Sequence, residues 1–274
     1  MNIKRVFAVY FSPVGSTRKL TAVLANALAE TFSVPLETVD FTLPASREEH
    51  YDFSAEDMVV FGSPTYAGKL PNKILPFVQS GFSGNDALAV PLVTFGNRSF
   101  DNSLAELCTT LEENGFHTVG AGAFACRHVF SEVLAAGRPD DEDMTLLAKL
   151  GAAVAAKVAR AETIPTPVAV PGSADAPYYR PLGEDGEPAV FLKAKPQTDP
   201  NKCAHCGLCA SLCPMGSISR DDFGVVEGVC IKCHSCVRNC PQGAKYFDDP
   251  AFLSHKAMLE KTYTRRADAQ IFTK

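Results

Sequence analysis

The sequence predicts a doubly wound α/β fold, a five-stranded parallel sheet with helices on both faces, followed by a small α+β module. Three observations predict it. Short apolar runs alternate with helical patterns over residues 1–162, a proline-rich stretch breaks that rhythm, and eight of the ten cysteines form a doubled run beyond it.

Each element has its own signal. Ile3–Tyr10 gathers Ile, Val, Phe, Val and Tyr in one short run, as a buried strand does. Ser16–Glu30 places Leu20, Val23, Leu24, Ala27 and Leu28 at helical spacing. Val34–Val39 reads as a second strand and Asp57–Gly62 as a third, apolar after its first residue. Pro71–Ser80 opens on a proline, which suits a helix's first turn. Ala89–Phe95 is the fourth strand, where Pro91 is expected near the strand start. Ser99–Asn114 is helical and ends at Gly115, and His117–Cys126 is a small-residue fifth strand. Asp140–Arg160 closes the series, with acidic residues in its first turn and Lys157 and Arg160 in its last, matching the helix dipole. Five such strands predict the order 2-1-3-4-5, with ligands beyond the C-terminal ends of strands 1 and 3.

Thr163–Pro200 holds 8 of the 19 prolines, which predicts a stiff, extended arm rather than a coil. The expected division is 1–162, a linker arm at 163–200, a cysteine module at 201–247 and a tail at 248–274 containing one helix, with Asp249 as cap and Pro250 in the first turn. The net charge of −5 gives no basic footprint for nucleic acid. Residues 1–162 carry 13 basic and 19 acidic side chains, whereas the last 20 carry 5 and 2. That basic tail reads as a solvated helix face or as a docking surface for an acidic partner. The run Val6–Phe11 is too short for a secretion signal, and no apolar stretch reaches the roughly 18 residues of a membrane span. A cytoplasmic location is expected, where the Asn97-Arg98-Ser99 triplet meets no glycosylation machinery and cysteines serve metals more than disulfides.

Cys203, Cys206, Cys209 and Cys213 precede Pro214; Cys230, Cys233, Cys236 and Cys240 precede Pro241, each 27 positions after its counterpart. Gly216 and Gly243 extend the match. Three cysteines at i, i+3 and i+6 can wrap three corners of a cubane cluster, and the fourth must come from elsewhere. The rule for two-cluster modules crosses the halves: Cys203, Cys206, Cys209 and Cys240 on one cluster, Cys230, Cys233, Cys236 and Cys213 on the other. Zinc is the competing reading, but its sites pair knuckles into four ligands and suit this run poorly. The module resembles bacterial two-cluster ferredoxins. His205 and His234 read as loop residues between ligands, and Cys108 and Cys126 as core thiols.

Three loops fall at the ligand edge of the expected sheet. Ser12-Pro13-Val14-Gly15-Ser16-Thr17 lacks the dinucleotide and Walker patterns, yet leads into a helix N-terminus that offers N–H groups to a phosphate, with Arg18 and Lys19 nearby. An ordinary helix cap is the plain alternative. Ser63-Pro64-Thr65-Tyr66-Ala67-Gly68-Lys69 and Thr94-Phe95-Gly96-Asn97-Arg98-Ser99-Phe100-Asp101 each offer an aromatic side chain and a glycine. Together the loops resemble the flavodoxin family, and the whole chain resembles flavodoxin–ferredoxin fusions of anaerobic microbes. The resemblance implies FMN, with Ser12, Val14, Gly15, Ser16 and Thr17 on its phosphate, Tyr66 stacked on the flavin and Thr94–Phe100 along the ring edge. Val14 departs from the polar residue common there. The resemblance further implies that a peptide at Gly68 turns to hydrogen-bond the reduced ring.

Two functions compete. The first is an electron carrier joining one-electron partners, such as ferredoxin-linked oxidoreductases, to FMN; a homodimer is left open. The second is an FMN-dependent reductase of a small organic substrate fed by its own clusters, with Lys69 or the Arg127-His128 pair supplying protons. A blander third is a flavin module that never exchanges electrons with the clusters.

Overall fold

A computed structural model describes residues 1–274. Five parallel strands, β1 (Arg5–Tyr10), β2 (Leu36–Asp40), β3 (Asp57–Pro64), β4 (Leu88–Phe95) and β5 (Ala121–Ala125), stand in the order β2-β1-β3-β4-β5. A sixth, β6 (Gln270–Phe272), adds antiparallel to β5. This is the flavodoxin-like doubly wound order with one extra edge strand. Period-two alternation divides the strands between two cores. Phe7, Val9, Val59 and Phe61 face one apolar cluster, and Val6, Ala8, Met58 and Val60 face the other. The inner strands are therefore covered on both faces, which is why β1, β3 and β4 read as largely apolar runs. On one face lie α1 (Ser16–Phe32) and α4 (Asp141–Arg160); on the other lie α2 (Leu75–Ser80) and α3 (Ser103–Glu113). Phe41, fully buried, centres an aromatic group with Phe61, Phe77 and Phe82 at 5.3–5.7 Å between ring centroids.

Local hydrogen bonding moves several expected boundaries. The second strand begins at Leu36 rather than Val34, because the Val34 N–H closes the end of α1 on Ala29 O. Pro71–Ile74 and Ser99–Asn102 form turns before α2 and α3 instead of their first helical residues. Pro91 lies mid-strand, not near the start. Its missing N–H would point toward the 117–125 side, where pairing to β4 breaks between Thr118 and Ala121. The same break splits the expected fifth strand into His117–Thr118 and β5. α4 begins with a capping box between Asp140 and Asp143.

The arm lies against the sheet domain: Val168 is buried and its N–H donates to Thr118 O. The tail forms the expected helix, α5 (Pro250–Thr262), whose cap Asp249 accepts from Phe252 N at 2.9 Å. It then folds back on the molecule. Neither reading of its basic residues describes Arg266, which pairs with Asp140 and Glu142. Arg138 reaches across the same junction. It forks onto the buried Asp143 and donates to Ala267 O at 2.9 Å. Arg138→Leu leaves the Asp143 carboxylate buried and unpaired, so unfolding in urea is expected to register a loss of about 3–5 kcal/mol, a midpoint within error of wild type being the contrary result.

Candidate functional site

The phosphate-loop candidates lie at the C-terminal end of β1. Gly15 takes φ 88°, a left-handed conformation that other residues adopt at a cost, and turns the chain into α1. The N–H groups of Ser16 and Thr17 have no acceptor in the protein. They face the position a phosphate takes at a helix N-terminus, with exposed Arg18 and Lys19 adjacent. Two of the expected side chains already hold bonds within the protein, though the Ser12 hydroxyl proton is left free to donate. Ser12 Oγ accepts from Arg18 N at 2.9 Å, and the buried Thr17 hydroxyl bonds Thr94 Oγ1 at 2.8 Å. The loop can hold a phosphate through its backbone, and Val14 costs it nothing there. Cys126 is buried, and burial pushes its thiol up to about 12.

The second loop follows β3. Ser63 is buried, Pro64 and Thr65 are half-buried, and Thr65 bonds both Thr94 O and the Ser103 hydroxyl. Tyr66–Lys69 is a tight turn with positive φ at Ala67 (49°) and Gly68 (79°), closed by Tyr66 N to Lys69 O and the reverse. Its carbonyls are already engaged: Ala67 O accepts from Tyr179 N at 2.8 Å, and Gly68 O from Asn102 N at 2.9 Å. A Cβ on Gly68 would stand 2.3 Å from the Asp101 carboxylate. The glycine thus serves a crowded turn: turning over the 67–68 peptide would break the bond to the arm, and turning over the 68–69 peptide the bond to Asn102 before α3. Burial, then the negative charge of Cys233 and Cys230, raises the Tyr66 hydroxyl well above its usual range.

The third loop is largely spent within the protein. Phe95 and Phe100 are buried against each other, centroids 5.7 Å apart. Asn97 binds the tail, its Nδ2 donating to Tyr263 O and Arg265 O at 2.7 Å and its Oδ1 accepting from Ala267 N at 3.1 Å. Both of its amide hydrogens are spent on the tail. Arg98 pairs with Asp101 and lies 3.9 Å from the Tyr179 ring centroid. Gly96 provides close approach: a Cβ there would meet the His128 ring at 2.1 Å. The loop's remaining offer is backbone at Gly96 and Asn97.

In the cysteine module, two small cavities each count four cysteines in their lining. One is lined by Cys213, Cys230, Cys233 and Cys236, the other by Cys203, Cys206, Cys209 and Cys240. Each therefore takes three thiols from one half of the repeat and one from the other. No three His, Cys, Asp or Glu side chains converge on a single-ion position. Thiols spread around a cavity suit a cluster of several metal atoms, whereas a zinc site draws four donors to about 2.3 Å of one ion. The backbone repeats as the sequence does: positive φ recurs at His205 and Lys232, at Gly207 and His234, and at Gly216 and Gly243. Ser217 N donates to Cys213 Sγ at 3.4 Å, and Ala244 N to Cys240 Sγ at 3.3 Å. Burial opposes ionisation of Cys240, but peptide N–H groups from Gln242 to Lys245 overcome it and lower its thiol.

Proton donors for a reductase are engaged. Lys69 is buried in an ion pair with Glu106 at 2.9 Å. His128 accepts from Phe130 N at Nδ1, and its pKa falls to about 3, first through burial and then through the charges of His255, Arg238 and Arg98. Sequence reasoning missed Arg238, which donates to Val129 O, His128 O and Ser131 O and pairs with Glu132. Its place inside a cysteine run, at a position where the first half has Ser211, was the available signal.

Two family models described as a 4Fe-4S binding domain match residues 196–219 and 227–243. No curated protein matches the chain. A flavodoxin from the domain Archaea is 17% identical, the match covering 57% of this chain and 99% of that one at TM-score 0.40. A flavodoxin of Streptococcus pneumoniae TIGR4 gives 14%, 56%, 99% and 0.39, and the rubredoxin oxygen:oxidoreductase of Desulfovibrio gigas 19%, 58%, 38% and 0.36. At those values the fold rests on strand order and register.

Because the His128 pKa is depressed in the folded chain, the unfolded chain binds the extra proton between pH 6.5 and about 3. Stability is then present above 6.5 and lost as pH falls. By pH 5.5 the loss from this group is about 1.4 kcal/mol. Urea midpoints of wild type and His128→Asn at pH 7.5 and 5.5 check it: the variant is expected to lose less over that interval, and equal losses contradict it.

Proposed function

We propose that this flavodoxin–ferredoxin fusion passes electrons between one-electron protein partners and an FMN held at the sheet edge, using two 4Fe-4S clusters. FMN, when bound, exchanges two electrons in single steps, and a cluster exchanges one. The chain's own part is to hold and tune these groups. Ser16 and Thr17 N–H take the phosphate, helped by Ser12, Val14 and Gly15 as the turn that presents them. Pro64, Thr65, Tyr66 and Ala67 border the ring on one side, and the Gly96–Asn97 backbone borders it on the other. Absence of a dinucleotide fingerprint favours FMN over FAD. The eight repeat cysteines ligate the clusters in the crossed pattern.

The observation that carries this reading is a chain of contacts: His234 lines the cavity of Cys213, Cys230, Cys233 and Cys236 and packs on Phe130, which packs on His128, whose ring crowds Gly96 of the third loop. Engagement of Lys69 and His128 speaks against the organic-substrate reductase. All ten cysteines are unpaired, which suits a reducing, cytoplasmic setting. No helix is long and apolar enough to cross a membrane.

Protein purified without oxygen is expected to hold about eight iron atoms, about eight sulfides and about one FMN per chain. Stoichiometric zinc, half that iron, or released FAD would each refute part of the assignment. Ser16→Glu sets a carboxylate against the phosphate position. It is expected to raise the FMN dissociation constant about 100-fold by fluorescence quenching while leaving the iron content unchanged.

A further inference from the structure

Three side chains ending in an ammonium or guanidinium are buried: Lys69, Arg138 and Lys245, 7%, 9% and 3% exposed. Burying a charge costs free energy unless an opposite charge meets it. Lys69 meets Glu106, and Arg138 meets Asp143. Lys245 is the most buried of the three and forms no ion pair with a carboxylate. Its ammonium has three donors, and the one acceptor it reaches is the neutral carbonyl of Phe223.

The strand pairing puts it there. Lys245–Tyr246 pairs antiparallel with Gln197–Thr198. Alternation along the strand turns Tyr246 outward and Lys245 inward. Inward is the lining of the cavity of Cys203, Cys206, Cys209 and Cys240, to which Thr198 and Phe223 also belong. The matching position of the repeat, 27 residues earlier, is Ile218, buried in the lining of the other cavity. An apolar side chain therefore satisfies the fold at this position, and a lysine there answers to something other than packing. Of the groups that oppose the effect of burial on the Cys209 thiol, the Lys245 ammonium acts most strongly, and it acts in the same direction on Cys236.

We infer that Lys245 is the counter-charge of the iron–sulfur cluster held by Cys203, Cys206, Cys209 and Cys240, and that it sets the reduction potential of that cluster. The inference rests on the two-cluster reading above. A 4Fe-4S core on four thiolates carries net negative charge, and net charge is one of the levers on its potential. Reduction adds one electron, lost by the one-electron partner, and no bond forms or breaks. A cation buried beside the cluster stabilises the more negative state and makes reduction easier. Other lysines stand near the repeat. Lys202, which pairs with Asp199, and Lys195 are exposed, where water and salt screen their charge. Lys232 is half-buried but lies at the other cavity, where it bonds the Cys230 carbonyl.

A redox titration of the full-length, iron-loaded protein, followed by electron paramagnetic resonance, tests this. Cysteine Cβ protons shifted in the NMR spectrum name the cluster that is reduced. Lys245→Met is expected to keep its iron and to lower the reduction equilibrium constant of the Cys203, Cys206, Cys209 and Cys240 cluster about tenfold, which is about 59 mV for one electron. The other cluster should shift less. Lys245→Arg keeps the charge and Lys202→Met removes an exposed one; both are expected to stay within about twofold of wild type. An unchanged potential in Lys245→Met, an equal loss in Lys245→Arg, or a larger shift at the other cluster overturns the inference. If Lys245→Met loses iron, the iron content of Lys245→Arg decides. A full complement there upholds the need for a cation, and a loss there too assigns Lys245 to packing and overturns the inference. Wild-type protein that binds no iron fails the two-cluster reading itself, before any variant is compared.

Discussion

The arrangement of the two halves depends on one guanidinium. Arg238 stands between Cys236 and Cys240 and directs its N–H groups at His128 O, Val129 O, Ser131 O and the Glu132 carboxylate. Those acceptors belong to the loop that leaves β5 at the ligand edge of the sheet. A rigid fork with five donors fixes orientation as well as distance, which a lysine at that position would not. The same loop carries His128, whose ring fills the space above Gly96. The cysteine module and the third expected flavin loop are thus one bond network apart.

Around that contact the chain closes on itself twice. The arm brings Tyr178 to Leu70 O and Tyr179 to Ala67 O, and Lys69 donates to Ala174 O, so a proline-rich connector becomes a strap over the second loop. The tail crosses the third loop at Asn97 and ends as an edge strand on β5. Both closures use carbonyls and amides that a free-standing sheet of this order would leave to water. They tie down the turn at Ala67 and Gly68, whose left-handed residues would otherwise fray.

The sequence by itself determined the sheet. Strands buried on both faces must be apolar throughout, so β1, β3 and β4 announce themselves, and alternation with helices leaves a parallel doubly wound order as the natural solution. It also made the doubled cysteine run legible, because the 27-residue repeat preserves every spacing of a run suited to a cubane cluster. Only the tertiary structure decided how side chains at the loops are spent. Asn97, Phe100 and Thr17 have the residue types of a binding site, yet they are committed to the tail, the core and Thr94. The partners of Thr17 and Asn97 lie 77 to 170 positions away, beyond the reach of local spacing. The same holds for β6, a three-residue strand with no signal until β5 offers it an edge, and for the unequal burial of two matching cysteine runs. A repeat is visible in one dimension; which copy faces the rest of the molecule is decided by packing alone.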